Sequence, residues 1–145
     1  MSTLDQTTLF NQFVTFTTAV HRVTHDITKN VKADHITPLQ YNILEYLYVS
    51  QPVTPTDISE CHDLSMPNTS RELKKLTEKW LIEKVEDPLD RRKRYVQLSS
   101  EGKSMMKDAF DVVEAHFQKR IKDATDDDLH DIEKAIITLQ NKLFY

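Results

Sequence analysis

Apolar residues recur at intervals of three and four along most of this chain, and only one short region departs from that rhythm. Phe10, Phe13, Phe16, Val20, Val23, Ile27 and Val31 keep the spacing of one helix face and predict a first amphipathic helix. Asp34 to Thr37 lead into Pro38, which is suited to the first turn of a second helix striped by Leu39, Ile43, Leu44, Leu47 and Tyr48. Thr54-Pro55-Thr56-Asp57 predicts the start of a third: Thr54 as N-cap, proline in the first turn, and a carboxylate near the positive helix end. Asp63 suits the turn that follows, because aspartate tolerates left-handed backbone better than most residues.

Ser65 is placed to cap a fourth helix. On its helical wheel Thr69, Leu73, Leu76 and Trp80 fall in one narrow arc and are expected to face inward. Pro67, Arg71, Lys74 and Glu78 fall opposite, flanked by Asn68, Ser70 and Lys75. The helical rhythm then stops. Leu81-Ile82-Glu83-Lys84-Val85 and Tyr95-Val96-Gln97-Leu98 read as two short strands, and Asp90-Arg91-Arg92-Lys93-Arg94 between them as an exposed hairpin tip. From about Ser99 a long helix carries Met105, Ala109, Val113, Phe117 and Ile121. Thr125 caps a last helix with Asp126, Asp127 and Asp128 in its first turn and a seam of Leu129, Ile132, Ile136, Leu139 and Leu143.

A single glycine and five prolines in 145 residues support this helical reading and exclude a loop-rich all-β protein. The net charge of −4 would by itself argue against a nucleic-acid partner, but its distribution reverses that inference. Nine Lys/Arg against six Asp/Glu make residues 71–94 net +3, which leaves the rest, ten Lys/Arg against 17 Asp/Glu, at −7. A basic helix followed by a basic hairpin tip on an acidic body is the electrostatic footprint of a double-stranded DNA reader. Arginine and asparagine on the outer face of the fourth helix suit bidentate contacts to base edges. Four adjacent cations at the tip repel one another until they lie beside phosphates.

Other chemistry is thinly represented. One cysteine, Cys61, excludes an internal disulfide and suits a reducing cytoplasm. Nothing basic adjoins it except His62, so it is read as an ordinary thiol. His21 and His25 are four apart, as two metal ligands would be, yet no cysteine accompanies them and no metal or cofactor is expected. No apolar run reaches the length of a membrane span, and the N-terminus lacks signal-peptide character. There is no P-loop, glycine-rich dinucleotide turn, Gly-x-Ser-x-Gly or His-Glu-x-x-His, so an enzyme is not expected.

The chain resembles the MarR family of winged helix-turn-helix transcription regulators. The resemblance runs from Ile36-Thr37-Pro38-Leu39-Gln40 through Asp57-Ile58-Ser59-Glu60, Leu64-Ser65, Arg71 and Leu76 to Leu81-Ile82, covering roughly residues 36–105. The family's wing pattern, Asp-x-Arg followed by Leu-Thr-x-x-Gly, is met by Asp90, Arg92, Leu98, Ser99 and Gly102, the only glycine. The resemblance implies an all-α fold with a small β-hairpin wing, in one domain spanning 1–145. Residues 36–100 would form the DNA-binding lobe, and 1–33 and 103–145 the dimerisation helices. It further implies a cytoplasmic homodimeric repressor on a pseudo-palindromic operator.

In that arrangement Ser65, Pro67, Asn68, Ser70, Arg71, Lys74 and Lys75 would face a major groove, Arg92 would enter the minor groove and Asp90 would hold the wing. Lys93 and Arg94 would serve phosphates or structural pairs, and Arg91 belongs to the same DNA-binding wing. Relatives often bind small aromatic effectors between dimer helices and DNA-binding lobe, where Phe13, Phe16, Val20, Tyr41 and Tyr48 are the candidates. Three positions depart from the family pattern: Trp80 and Asp63 replace glycines, and His62 replaces a leucine-like residue. A left-handed Trp80 would cost roughly 1–2 kcal/mol, so the exit from the fourth helix is expected to be built differently. The alternative reading is a helical interaction module or antirepressor of the same fold that has lost DNA binding.

Overall fold

The computed structural model describes residues 4–28 and 35–145. Val31 and Asp34, placed above in or beside the first two helices, lie outside the described residues. Six helices and one hairpin follow in the expected order: α1 (Gln6–Thr28), α2 (Pro38–Ser50), α3 (Pro55–Cys61), α4 (Met66–Glu78), β1 (Ile82–Glu86), β2 (Arg94–Leu98), α5 (Ser100–Arg120) and α6 (Asp126–Lys142). Each helix starts on an oxygen-bearing side chain that satisfies free backbone N–H groups. Thr37 with Gln40, Thr54 with Asp57 and Thr125 with Asp128 form reciprocal capping boxes, and Ser65 and Ser99 cap α4 and α5. The Asp5 carboxylate accepts from the backbone of Thr7 and Thr8 at the start of α1.

The strands pair antiparallel, Ile82 opposite Leu98 and Glu86 opposite Arg94, each displaced by one residue from its expected start. Val53, between α2 and α3, adds a bridge to Val96 through two backbone hydrogen bonds of 3.1 and 2.7 Å. Among the described residues, the fourteen buried hydrophobic ones all lie between Ile36 and Met106. α2, α3, α4, the hairpin and the first turns of α5 therefore enclose a core of their own. α6 buries no residue, and Leu9, Phe10, Val14, Phe16 and Val20 of α1 are exposed.

Two expectations about the end of α4 are overturned. Trp80 is left-handed (φ 63°), and its side chain is 74 % exposed rather than buried. The Trp80 N–H donates to the Thr77 carbonyl (3.0 Å) and the Leu81 N–H to that of Leu76 (3.1 Å), the pair of bonds made by a Schellman ending. Leu76 and Leu81 are both buried, and the Ser99 hydroxyl donates to the Trp80 carbonyl at 2.5 Å. These interactions outweigh the strain of a Cβ in left-handed backbone. They also explain the exposure: the helical wheel no longer applies after the backbone reverses hand, and Leu81 takes the inward place. The α3 exit is the same motif, with Asp63 left-handed (φ 52°) and Leu64 donating to Ser59 at 2.9 Å.

The one glycine serves a close approach. A Cβ on Gly102 would lie 2.0 Å from the carbonyl oxygen of Leu81, which accepts the Ser99 N–H at 3.0 Å. The start of α5 is thus pressed onto the junction between α4 and β1, and this contact sets where the hairpin leaves the lobe.

Candidate nucleic-acid interface

α4 presents two faces of different chemistry. Thr69, Leu73 and Leu76 are buried, with the Thr69 hydroxyl donating to the Ser65 carbonyl at 2.9 Å. Ser65, Pro67, Asn68, Ser70, Arg71, Lys74 and Lys75 are exposed, as the wheel predicts for the outer face. The Arg71 guanidinium donates to the side-chain oxygen of Asn68, which fixes the two groups suited to base edges beside one another. Arg71 and Lys74 have no ion pair among the described residues.

Lys75 and Lys79 are more constrained. Lys75 meets Glu72 at 3.4 Å, and the other carboxylate oxygen of Glu72 accepts from buried Gln40 at 3.2 Å. Lys79 donates to Gln40 Oε1 (2.8 Å) and to the His35 carbonyl (2.5 Å). Gln40 therefore ties α2 to both ends of a charged strip on α4. Sequence reasoning missed this network; the signal was a glutamine within an otherwise apolar helix face, with Thr37 three residues ahead.

The hairpin tip is organised by two aspartates through backbone rather than charge pairing. Asp87 Oδ1 accepts the Leu89 N–H at 2.8 Å, and Asp90 Oδ1 accepts the Arg92 N–H at 2.9 Å. The Lys93 N–H donates to the Asp90 carbonyl (3.0 Å), and Asp87 N–H to the Lys93 carbonyl (3.3 Å). Arg91, Arg92, Lys93 and Arg94 are all exposed and make no ion pair among the described residues. Holding four unpaired cations on a fixed turn is electrostatically unfavourable, which an anionic surface would relieve.

The five aromatic and aliphatic residues considered for an effector pocket are not brought together. Phe13 and Phe16 border a groove of about 540 Å³ with Leu139 and Leu143 of α6, and the Phe13 ring lies 5.9 Å from that of Phe144. Val20 lines neither cavity and is exposed. Tyr41 belongs to the lobe's core, and its buried hydroxyl has no hydrogen-bond partner among the described residues. Only Tyr48 lines a cavity between α1, α2 and α5, of about 480 Å³, with Ile27, Glu45, Phe110, Glu114 and Phe117 among its walls. Burial pushes the Glu45 carboxyl up from its ordinary value. Glu45 was missed in the sequence although it is the only charged residue of α2.

Cys61, His21 and His25 are exposed, and no cluster of three or more His, Cys, Asp or Glu side chains fit for a metal gathers among the described residues. No helix among these residues is long and apolar enough to cross a membrane.

Comparison with known proteins agrees with this geometry. The MarR family model matches residues 36–93, which include α4 and most of the hairpin. The chain is 26 % identical over 108 residues, 74 % of each protein, to YsmB of Bacillus subtilis, an uncharacterized HTH-type transcriptional regulator. It is similar in fold to a MarR family protein from Bacillus stearothermophilus, with TM-score 0.80 and 13 % identity over 99 % of this chain and 100 % of that one. A mutant MarR from E. coli, solved in complex with operator DNA, matches with TM-score 0.58 and 20 % identity over 90 % of this chain and 97 % of that one.

Proposed function

We propose that this chain is a transcriptional regulator of the MarR family, a cytoplasmic repressor that binds double-stranded DNA as a homodimer; the family model over residues 36–93 and the likeness to an HTH-type regulator support this reading. The observation that carries the reading is the set of exposed cations without ion pairs among the described residues: Arg71 and Lys74 on α4, and Arg91 to Arg94 on the hairpin tip. In this reading Ser65, Pro67, Asn68, Ser70 and Arg71 address base edges in a major groove. Lys74 and Lys75 lie on phosphates. Arg92 enters the neighbouring minor groove, whose negative potential favours an arginine. Asp90 acts as a positioning residue, since its carboxylate binds the Arg92 backbone and leaves the guanidinium free.

In this reading residues 1–33 and 103–145 form the dimer interface, and the exposed apolar residues of α1 and α6 support it. Ile132 and Ile136 of α6 and Phe10 and Phe16 of α1 remain exposed in the single chain, and a second copy would bury them. Two copies related by a two-fold axis would present two α4 helices to a pseudo-palindrome. Bound at a promoter, such a dimer represses by occlusion. The cavity beside Tyr48 lies where α2 of the lobe meets α1 and α5, so a ligand seated there would alter the spacing of the two lobes and release DNA.

Electrophoretic shift on the intergenic DNA next to the protein's own gene, with random DNA as competitor, tests the reading. A complex that survives excess random DNA, and a light-scattering mass near twice 17.0 kDa, are expected. Equal affinity for both DNAs would sink the sequence-specific repressor, and a folded monomer at micromolar concentration would sink the dimer.

A further inference from the structure

The cavity between α1, α2 and α5 is lined mostly by aromatic and aliphatic residues, and its two charged lining residues, Glu45 and Glu114, are both acids. Among the described residues no lysine, arginine or histidine contributes to its walls; α1 supplies Thr24 and Ile27, α2 supplies Tyr48, and α5 supplies Phe110, Val113 and Phe117. Neither carboxylate has a hydrogen bond or ion pair among the described residues. The Tyr48 and Phe110 rings lie 4.7 Å apart and tilted by 33°, forming an aromatic wall. The volume of about 480 Å³ falls within the roughly 300–1,000 Å³ common for small-molecule sites.

From this lining we infer that the cavity selects an aromatic cation and rejects aromatic acids. The inference rests on the effector reading above and supplies the ligand's charge. Aromatic faces attract a cation through their quadrupoles, and the half-buried Glu45 carboxylate attracts it more strongly than the exposed Glu114 does. A phenolate or benzoate would meet two carboxylates with no compensating cation among the described lining residues. Glu45 is poised for this role, because burial already disfavours its charged form and a bound cation would restore it. Tyr41, one turn earlier on α2, is itself pushed up, by burial first and then by the Glu45 charge.

Tetraphenylphosphonium and tetraphenylborate have nearly the same shape and opposite charge, so calorimetric titration of the full chain with each isolates the charge preference. Wild type should bind the phosphonium at least about tenfold tighter than the borate. Glu45→Gln should reduce phosphonium affinity about tenfold, Glu114→Gln less, and both should raise borate affinity. Borate binding equal to or tighter than phosphonium binding, or binding of neither ion, overturns the inference. So does unchanged phosphonium affinity in a Glu45→Gln protein whose circular dichroism is native. If that variant fails to fold, the wild-type ion pair and Glu114→Gln still decide. Phosphonium binding that leaves a DNA complex intact would support the charge selectivity while rejecting the effector role, so the two ideas fail separately.

Discussion

Adding one methyl group at Gly102 tests how the hairpin is seated, because two effects of known sign oppose each other there. In a helix, alanine is favoured over glycine by about 0.5–1 kcal/mol. Here the new Cβ would lie 2.0 Å from the Leu81 carbonyl oxygen and 3.0 Å from its carbon, both backbone atoms that cannot rotate away. To reach van der Waals contact, α5 and the start of β1 must separate by more than about 1 Å. Overpacking of this kind costs about 1–3 kcal/mol. The separation also stretches the 3.0 Å bond from Ser99 to Leu81, worth about 0.5–1.5 kcal/mol. Gly102→Ala should therefore lose about 1–3 kcal/mol net. Urea unfolding followed by circular dichroism reads this as a lower midpoint with unchanged slope. A variant as stable as wild type, or more stable by the helix-propensity gain, would refute the close approach.

Trp80→Gly should have the opposite sign. It relieves left-handed strain at an exposed side chain and should gain about 1 kcal/mol, whereas a loss in thermal melting would mean that the indole packs on the lobe. Glu45→Gln should melt above wild type at pH 7. The folded state favours neutral Glu45, so the stability tied to its proton is present at low pH and lost as pH rises through the raised folded value. The two proteins should converge near pH 4, and identical melting at pH 7 would contradict the burial cost. Asp90→Ala removes the acceptor of the Arg92 N–H. Operator affinity measured by fluorescence anisotropy should fall despite the added net positive charge, because a loosened tip must be immobilised on binding; tighter binding would reduce Asp90 to an electrostatic liability.

The helix starts were legible because each is written locally. Thr37, Thr54, Ser65, Ser99 and Thr125 all cap where their spacing to Gln40, Asp57, Asn68, Gly102 and Asp128 allows. The outer face of α4 was legible for the same reason, since a wheel holds as long as the backbone stays helical. It failed at Trp80, one residue past the cap, where tertiary burial of Leu81 and the Ser99 contact decide the geometry. The Val53 bridge to Val96 was invisible because a single extended residue carries no periodicity. The aromatic residues of α1 and α2 could be recognised as apolar but not assigned to a cavity. Whether Phe13 meets Phe144 or Tyr48 depends on helix crossings between distant segments. Glu45 and Gln40 were each conspicuous as polar residues in an apolar helix, a signal that marks burial but not the partner.

The most direct test of the central claim is the salt dependence of DNA affinity. If each protomer places about four cations of α4 and the hairpin tip on phosphates, a dimer should show a slope of log K against log salt near −7. Replacing both Arg92 and Arg94 with alanine should flatten that slope by about two to four, while operator preference, which the proposal assigns to Arg71 and Asn68, should persist in reduced form. A wild-type slope near zero, or one unchanged by the double replacement, would mean that these cations do not meet DNA.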